Sequence, residues 1–205
     1  MSKSRSLTPE RLVDAALAVL DESGPEAFSM RAVADHLGMG VMSLYRYVED
    51  RAELEIMIVE RVLGSVSLDL PPAPWRNRVE LLVDRVRVAV AAHPSTMPMA
   101  VARRRHVPSM RRWAEAVLAV LAEAGLRGER RAVALRALIS YVIGSMELEH
   151  RDSLPGVEAR PAPEISRADY PHLAASTRAT QRLSRAEEFR GGLALVLDGI
   201  AGSIR

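Results

Sequence analysis

Residues 28–54 read FSMRAVADHLGMGVMSLYRYVEDRAEL, and the order of helix signals in this stretch decides the fold. Ser29 is an N-cap residue type, and the helix it opens places Val33, Ala34 and Leu37 on one face. Gly38 follows, the residue type that accepts the left-handed conformation a tight turn requires. A very short helix is expected over Val41 to Tyr47, after which Asp50 and Glu53 form a capping-box pair. They open a further helix, spanning 50–66, with Leu54, Met57, Ile58, Arg61 and Val62 at helical spacing. Helix, glycine turn, short helix is the order of a helix-turn-helix.

The side chains of the turn and short helix divide into two sets. Leu37, Met39 and Leu44 are spaced to pin the pair of helices to a preceding one, and Ala34 is small enough to let them cross closely. Gly40, Val41, Met42, Ser43, Tyr45, Arg46 and Tyr47 are left facing outward. The chain has only four tyrosines, and two of them flank Arg46 here. Such a surface suits bulk water poorly. It suits a DNA major groove, where apolar groups meet thymine methyls and hydroxyls or guanidinium meet base edges and phosphates. Plain three-helix packing gives similar spacing, so periodicity alone leaves both readings open.

Outward from this stretch the pattern stays helical. Thr8 caps a first helix with Pro9 at its first position, and Leu12, Ala15, Ala16, Val19 and Leu20 share a face until Gly24-Pro25 stops it. The helix opening at Asp50 also carries Ile56, Val59 and Leu63, so it is apolar around most of its circumference and is expected to touch two bodies. Pro71 to Pro74, PPAP, is the clearest punctuation. Beyond it, helical patterns run through Val79, Leu82, Val83, Val86 and Val90, and through Met110, Trp113, Val117, Val120 and Leu121. A third covers 129–149, with Val133, Leu138, Ile139, Val142, Ile143 and Met146 inside. A proline-rich polar stretch at 152–169 reads as a mobile loop, and a weak helix is expected near 171–182. Ser184 and Glu187 then form a second capping box for a last helix carrying Phe189, Leu193, Val196, Leu197, Ile200 and Ile204. The expected architecture is all-α: a helix-turn-helix domain over 1–52, the helix at 50–66 as connector, and a second helical domain over 67–205.

Composition narrows the function. The 205 residues are 48% hydrophobic but only 4% aromatic, so the core is built from Leu, Val, Ala and Met. With no cysteine there is no disulfide framework or thiolate metal site, and no segment has the apolar length to span a bilayer. The expectation is a soluble cytoplasmic, nucleoid-associated protein with no membrane partner. Net charge is +2, yet Lys3, Arg5, Arg11, Arg31, Arg46 and Arg51 are outnumbered over residues 1–51 by Glu10, Asp14, Asp21, Glu22, Glu26, Asp35, Glu49 and Asp50. Any case for DNA therefore rests on where the positive charges sit. His36, His93, His106, His150 and His172 are scattered, and no nucleophile motif, phosphate-cradling loop or metal-spaced pair is present, so no enzyme is expected.

The stretch at 28–54, together with its flanks over about 8–62, resembles the DNA-binding signature of the TetR family of bacterial transcriptional repressors. The resemblance implies roles position by position. Ser29 is a cap hydroxyl placed to donate to a phosphate, and Arg31 contacts a phosphate or base edge. Val41, Met42 and Ser43 stand at base-reading positions, Tyr45 and Tyr47 donate to phosphates on either side of the groove, and Arg46 stands at a specificity position. Arg51 matches a phosphate-binding Lys. Gly40 departs from members that carry a side chain there, and Glu49 and Asp50 dilute the positive field. Lys3 and Arg5 in the tail are candidates for further DNA contacts. A short reading helix offers few contacts, which favours a two-fold protein on a near-palindromic double-stranded operator.

Residues 137–151, ALISYVIGSMELEHR, and 189–204, FRGGLALVLDGIAGSI, resemble the dimerising helices of the tetracycline-repressor branch. Gly191, Gly192, Gly199 and Gly202 each weaken a helix by about 1 kcal/mol relative to Ala, a load most readily explained by a closely approaching helix. Ile143, Gly144, Gly192, Val196, Gly199 and Ile200 are the expected homodimer interface, with Ser145 small for the same reason. The resemblance also implies a small-molecule effector, partly apolar. Met97, Met99, Met110, Trp113, Tyr141 and Met146 are candidate walls, and Arg104, His106 and Glu147 candidate polar contacts. The run Arg103-Arg104-Arg105 with Arg111 and Arg112 reads as a solvated face or an attraction for an anion. Tetracycline-binding members present a His near the end of their sixth helix to a drug-bound magnesium. Here 97–104 holds no His and His106 is displaced, so neither metal nor cofactor is expected.

Overall fold

A computed structural model describes residues 7–152 and 165–204, and every regular element among them is a helix. Lys3, Arg5 and most of the expected loop at 152–169 lie outside the described residues. The chain divides into two compact units, residues up to Val117 and residues from Leu118 onward.

The first unit holds α1 (Pro9–Ala27), α2 (Met30–His36), a 3-10 helix η1 (Val41–Arg46), α3 (Arg51–Leu63), α4 (Trp75–Ala92), a 3-10 turn η2 (Pro94–Thr96) and α5 (Met97–Arg103). It also takes the first part of α6 (Pro108–Glu123). α1 begins as the sequence indicates: the Thr8 hydroxyl accepts from the Arg11 N–H at 3.3 Å, with Pro9 at the first position. Leu12, Val13, Ala15, Ala16, Val19 and Leu20 form its buried stripe. Gly24 interrupts it with φ 76°, after which Pro25 restarts a last helical turn, so the glycine breaks the helix and the chain resumes in a new direction.

α3 packs against α1, α4 and α5, and it buries Leu54, Ile58, Val59, Val62 and Leu63. This is the multi-sided contact its apolar circumference implies. Trp113 is buried, and its indole N–H donates to the Leu82 carbonyl at 2.9 Å. A buried indole needs such a partner.

The second unit holds the rest of α6, then α7 (Gly128–Asp152), α8 (Pro171–Thr180) and α9 (Arg185–Ala201). α7 and α9 pack together, with Tyr141 and Phe189 ring centroids 5.6 Å apart and the Tyr141 hydroxyl donating to the Phe189 carbonyl at 2.7 Å. The Ser184–Glu187 capping box is complete: the Glu187 N–H reaches the Ser184 hydroxyl at 3.2 Å, and the Ser184 N–H reaches the Glu187 carboxylate at 2.8 Å.

One inner-face expectation on α7 is corrected. Val133 is 66% exposed, because the buried line of α7 runs through Ala134, Leu138, Val142 and Met146 at strict four-residue steps. Val133 lies one residue, about 100° of helical turn, away from that line.

Candidate nucleic-acid interface

The turn between α2 and η1 closes through backbone alone. The Ser29 hydroxyl accepts from the Ala32 N–H at 3.1 Å to start α2. At its end the Met39 N–H reaches back to the Ala34 carbonyl at 3.0 Å, while Gly38 sits at φ 66°. A side chain at Gly38 would meet open space, so the glycine serves conformation and not clearance.

η1 is a 3-10 helix, with the Ser43 N–H on the Gly40 carbonyl and the Tyr47 N–H on the Leu44 carbonyl, both at 2.9 Å. Three residues per turn puts every third side chain on one line. Val41, Leu44 and Tyr47 form one line, in which Leu44 is fully buried and its neighbours half-buried. Met42 and Tyr45 form the second, 78% and 43% exposed. Ser43, half-buried, and Arg46, exposed, form the third. The two tyrosines therefore do different things: Tyr45 projects outward beside Met42, while Tyr47 shares the anchoring side with Leu44. The expectation that Leu37 and Met39 pin the pair as fully as Leu44 is also adjusted, since both are only half-buried. Exposed Arg31 stands on α2.

Asp50 caps α3, its carboxylate accepting from the Glu53 N–H at 2.8 Å, and the Glu53 carboxylate returns to the N–H of Glu49, one residue earlier than a standard capping box. Arg51 follows. Its Nε donates to Glu55 at 2.8 Å and its guanidinium lies over the Phe28 ring at 5.3 Å, which hold one edge and one face of the group. The carboxylate of Glu55 is buried and accepts a second guanidinium, that of Arg103 on α5, at 2.9 Å. One turn further along α3, Glu60 accepts from the Ser109 N–H at 2.7 Å and from Arg112 at 2.8 Å. Partial burial pushes the Glu60 carboxyl upward, but the Ser109 and Arg112 bonds outweigh it and hold the group below its ordinary value.

Phe28, Glu55, Glu60 and the engagement of Arg103 escape a reading of periodicity. The one local signal is Glu55 four residues after Arg51, a helical ion-pair spacing. The basic run thus splits: Arg103 and Arg112 are paired with α3 carboxylates, while Arg104, Arg105 and Arg111 are exposed.

Among the candidate effector residues of the first unit, Met97, Met99 and Trp113 are buried and Met110 half-buried, whereas Arg104 and His106 are exposed. In the second unit Met146 is buried, and Tyr141 and Glu147 are half-buried. None of the nine lines the open cleft of about 710 Å³ bounded by Gly125, Leu126, Arg127, Glu129, Arg130 and Ser203.

The candidate interface residues of the second unit separate in the same way. A Cβ at Gly192 would lie 2.8 Å from the Tyr141 ring, so this glycine clears a side chain of its own subunit, and Ile200 is buried within the unit. Those two residues leave the exposed face. Gly144, Gly191 and Gly199 have open space beyond them, Ile143 and Val196 are half-buried, and Leu195 and Leu148 are 74% and 64% exposed.

A DNA-reading head followed by a helical domain defines a class, and comparison with known proteins identifies it. The family described as "Bacterial regulatory proteins, tetR family" matches residues 12–54, and "Tetracyclin repressor-like, C-terminal domain" matches residues 69–204. The chain belongs to the TetR family; it is a DNA-binding transcriptional regulator and not an enzyme. It is 31% identical to the HTH-type transcriptional repressor DrrR1 of Streptomyces coeruleorubidus, over 95% of this chain and 77% of that one. A second relative, an HTH-type transcriptional regulator of Saccharopolyspora erythraea, is 32% identical over 82% of this chain and 74% of its own length. In structure the chain is similar to the Streptomyces coelicolor TetR family protein ActR in complex with actinorhodin. The TM-score there is 0.83, with 28% identity over 97% of this chain and 99% of that one.

Proposed function

We propose that this regulator is a repressor that binds a near-palindromic duplex as a homodimer and is released by a small, partly apolar effector. The observation that carries the DNA half is the side-chain sorting of η1. Leu44 alone is fully buried, and Met42, Tyr45 and Arg46 stand exposed with apolar, phenolic and guanidinium chemistry that fits a major groove. Ser29, Arg31, Val41, Ser43, Tyr47 and Arg51 complete the contact set. Tyr45, Arg51 and the cap at Ser29 position the head on phosphates, and Met42, Ser43 and Arg46 read bases. The likeness to a repressor and to an actinorhodin-bound relative supports the effector reading.

The dimer rests on the second unit. Gly144 and Gly199 leave backbone open, and Leu195 and Leu148 are apolar and uncovered, which suits a partner's helices better than water. PPAP at 71–74 is the proposed boundary of the reading domain, with α3 as connector.

Selection of duplexes from a randomised library by the full-length protein tests the reading, with gel shifts across a salt series. The expected result is a two-fold symmetric consensus, bound by two chains, whose affinity falls steeply with salt. Leu195→Glu is expected to yield monomers in sedimentation and to weaken binding to the full site. Failure to enrich any duplex, or a Leu195→Glu protein that remains dimeric, refutes the corresponding half.

A further inference from the structure

Glu55 is the buried carboxylate of the described first unit that joins two guanidinium groups from different helices. Its Oε1 accepts from Arg51 and its Oε2 from Arg103, at 2.8 and 2.9 Å. Arg51 comes from the first position of α3, beside the reading head, and Arg103 from the last position of α5. α5 is short, preceded by η2, and seated by Met97, Met99 and Ala100. We infer that Glu55 is a positioning residue through which α5 sets Arg51 for phosphate contact, a regulatory linkage that rests on the DNA-binding reading above.

The physical argument concerns charge. A carboxylate taken out of water requires partners, and removing one of two leaves the charge under-compensated. With Arg103 in place, Glu55 is neutralised from the α5 side, needs only the Nε edge of Arg51, and leaves the two Nη groups of Arg51 for a phosphate oxygen pair. The Phe28 ring under the guanidinium keeps that presentation fixed. When α5 moves and Arg103 withdraws, Glu55 draws on Arg51 alone, in direct competition with DNA. Displacement of one short helix thus weakens a phosphate contact without moving the reading head.

The test uses the full-length protein and the duplex selected from the randomised library, with affinity measured by fluorescence anisotropy across a salt series. The variants are Arg51→Ala, Arg103→Ala, the double variant, and the same three in a Glu55→Gln background. Arg51→Ala is expected to weaken binding about tenfold and to lower the salt slope by about 0.9 for each phosphate it no longer neutralises. Arg103→Ala is expected to weaken binding by about five- to tenfold with its salt slope unchanged. The double variant should bind no worse than Arg51→Ala alone, and in the Glu55→Gln background Arg103→Ala should have no effect.

Arg103→Lys, which keeps a cation beside Glu55, should bind within about twofold of the unaltered protein. It also separates the linkage from a folding defect of Arg103→Ala. A lowered salt slope for Arg103→Ala means that Arg103 meets a phosphate itself, and it overturns the inference. So do multiplicative losses in the double variant, or a loss with Arg103→Lys equal to that with Ala. These outcomes leave the DNA-binding reading standing, whereas failure to select any duplex removes both.

Discussion

In the reading head one buried leucine, Leu44, carries a segment whose exposed groups are a methionine, a phenol and a guanidinium. In the α7–α9 pair an entire buried line supports a face whose exposed groups are glycines and aliphatic side chains, with Leu195 between Gly191 and Gly199. The first surface offers donors and a positive charge, each able to meet an oxygen or a base edge. The second offers open backbone and hydrocarbon, which only another close-packed surface rewards. Exposure of an apolar residue therefore means different things in the two places, and its neighbours decide which.

Four experiments bear on this contrast. The largest effect is expected from Leu44→Ala, since the head depends on a single fully buried side chain. A loss of about 3 kcal/mol, within the range of buried Leu→Ala changes, should appear in chemical denaturation, accompanied by loss of DNA binding. An unaltered midpoint would show that η1 is not held as described.

Next comes a pair of neighbours on α9. Gly192→Ala drives a methyl into the Tyr141 ring and is expected to destabilise, about 1–3 kcal/mol of overpacking being only partly offset by helix propensity. Gly191→Ala meets open space and should stabilise the subunit by about 0.5–1 kcal/mol. Melting temperatures shifting in the same direction would refute the assignment of Gly192 to the subunit's own core.

Tyr45→Phe removes an exposed donor. Binding should weaken by about 1 kcal/mol, roughly equally across operator variants, with folding stability unchanged. A change in preferred sequence would move Tyr45 from phosphate to base contact.

The smallest effect concerns pH. The Glu60 carboxyl is held below its ordinary value, so the stability it adds is present above pH 4.5 and is lost as pH falls through the lowered value. Glu60→Gln should flatten the acid limb of the stability profile between those points, and an identical profile in the variant would exclude this origin.

Much of the molecule is legible in its residue order. The caps at Thr8, Ser29, Asp50 and Ser184, the turn at Gly38 and the break at Gly24 all occur where residue chemistry indicates. Legibility falls off wherever helical phase or pairing matters. Periodicity puts Val133 on the wrong side of α7 because a one-residue shift changes the face. It treats Tyr45 and Tyr47 alike because α-helical spacing does not describe a segment with three residues per turn. Gly192 and Gly199 look equivalent as letters, yet only one lies over an aromatic ring.

By itself the order of residues determined the all-helical class, the ends of most helices and the position of the reading head. Those features arise from interactions within about four residues, which composition and spacing encode directly. Only the tertiary structure decided that Arg103, 48 residues from Glu55, shares its carboxylate with Arg51, and that Tyr141 reaches the Phe189 carbonyl across the same separation. Contacts of that range depend on how whole helices pack, and many arrangements of the same amphipathic faces would satisfy the local rules equally well.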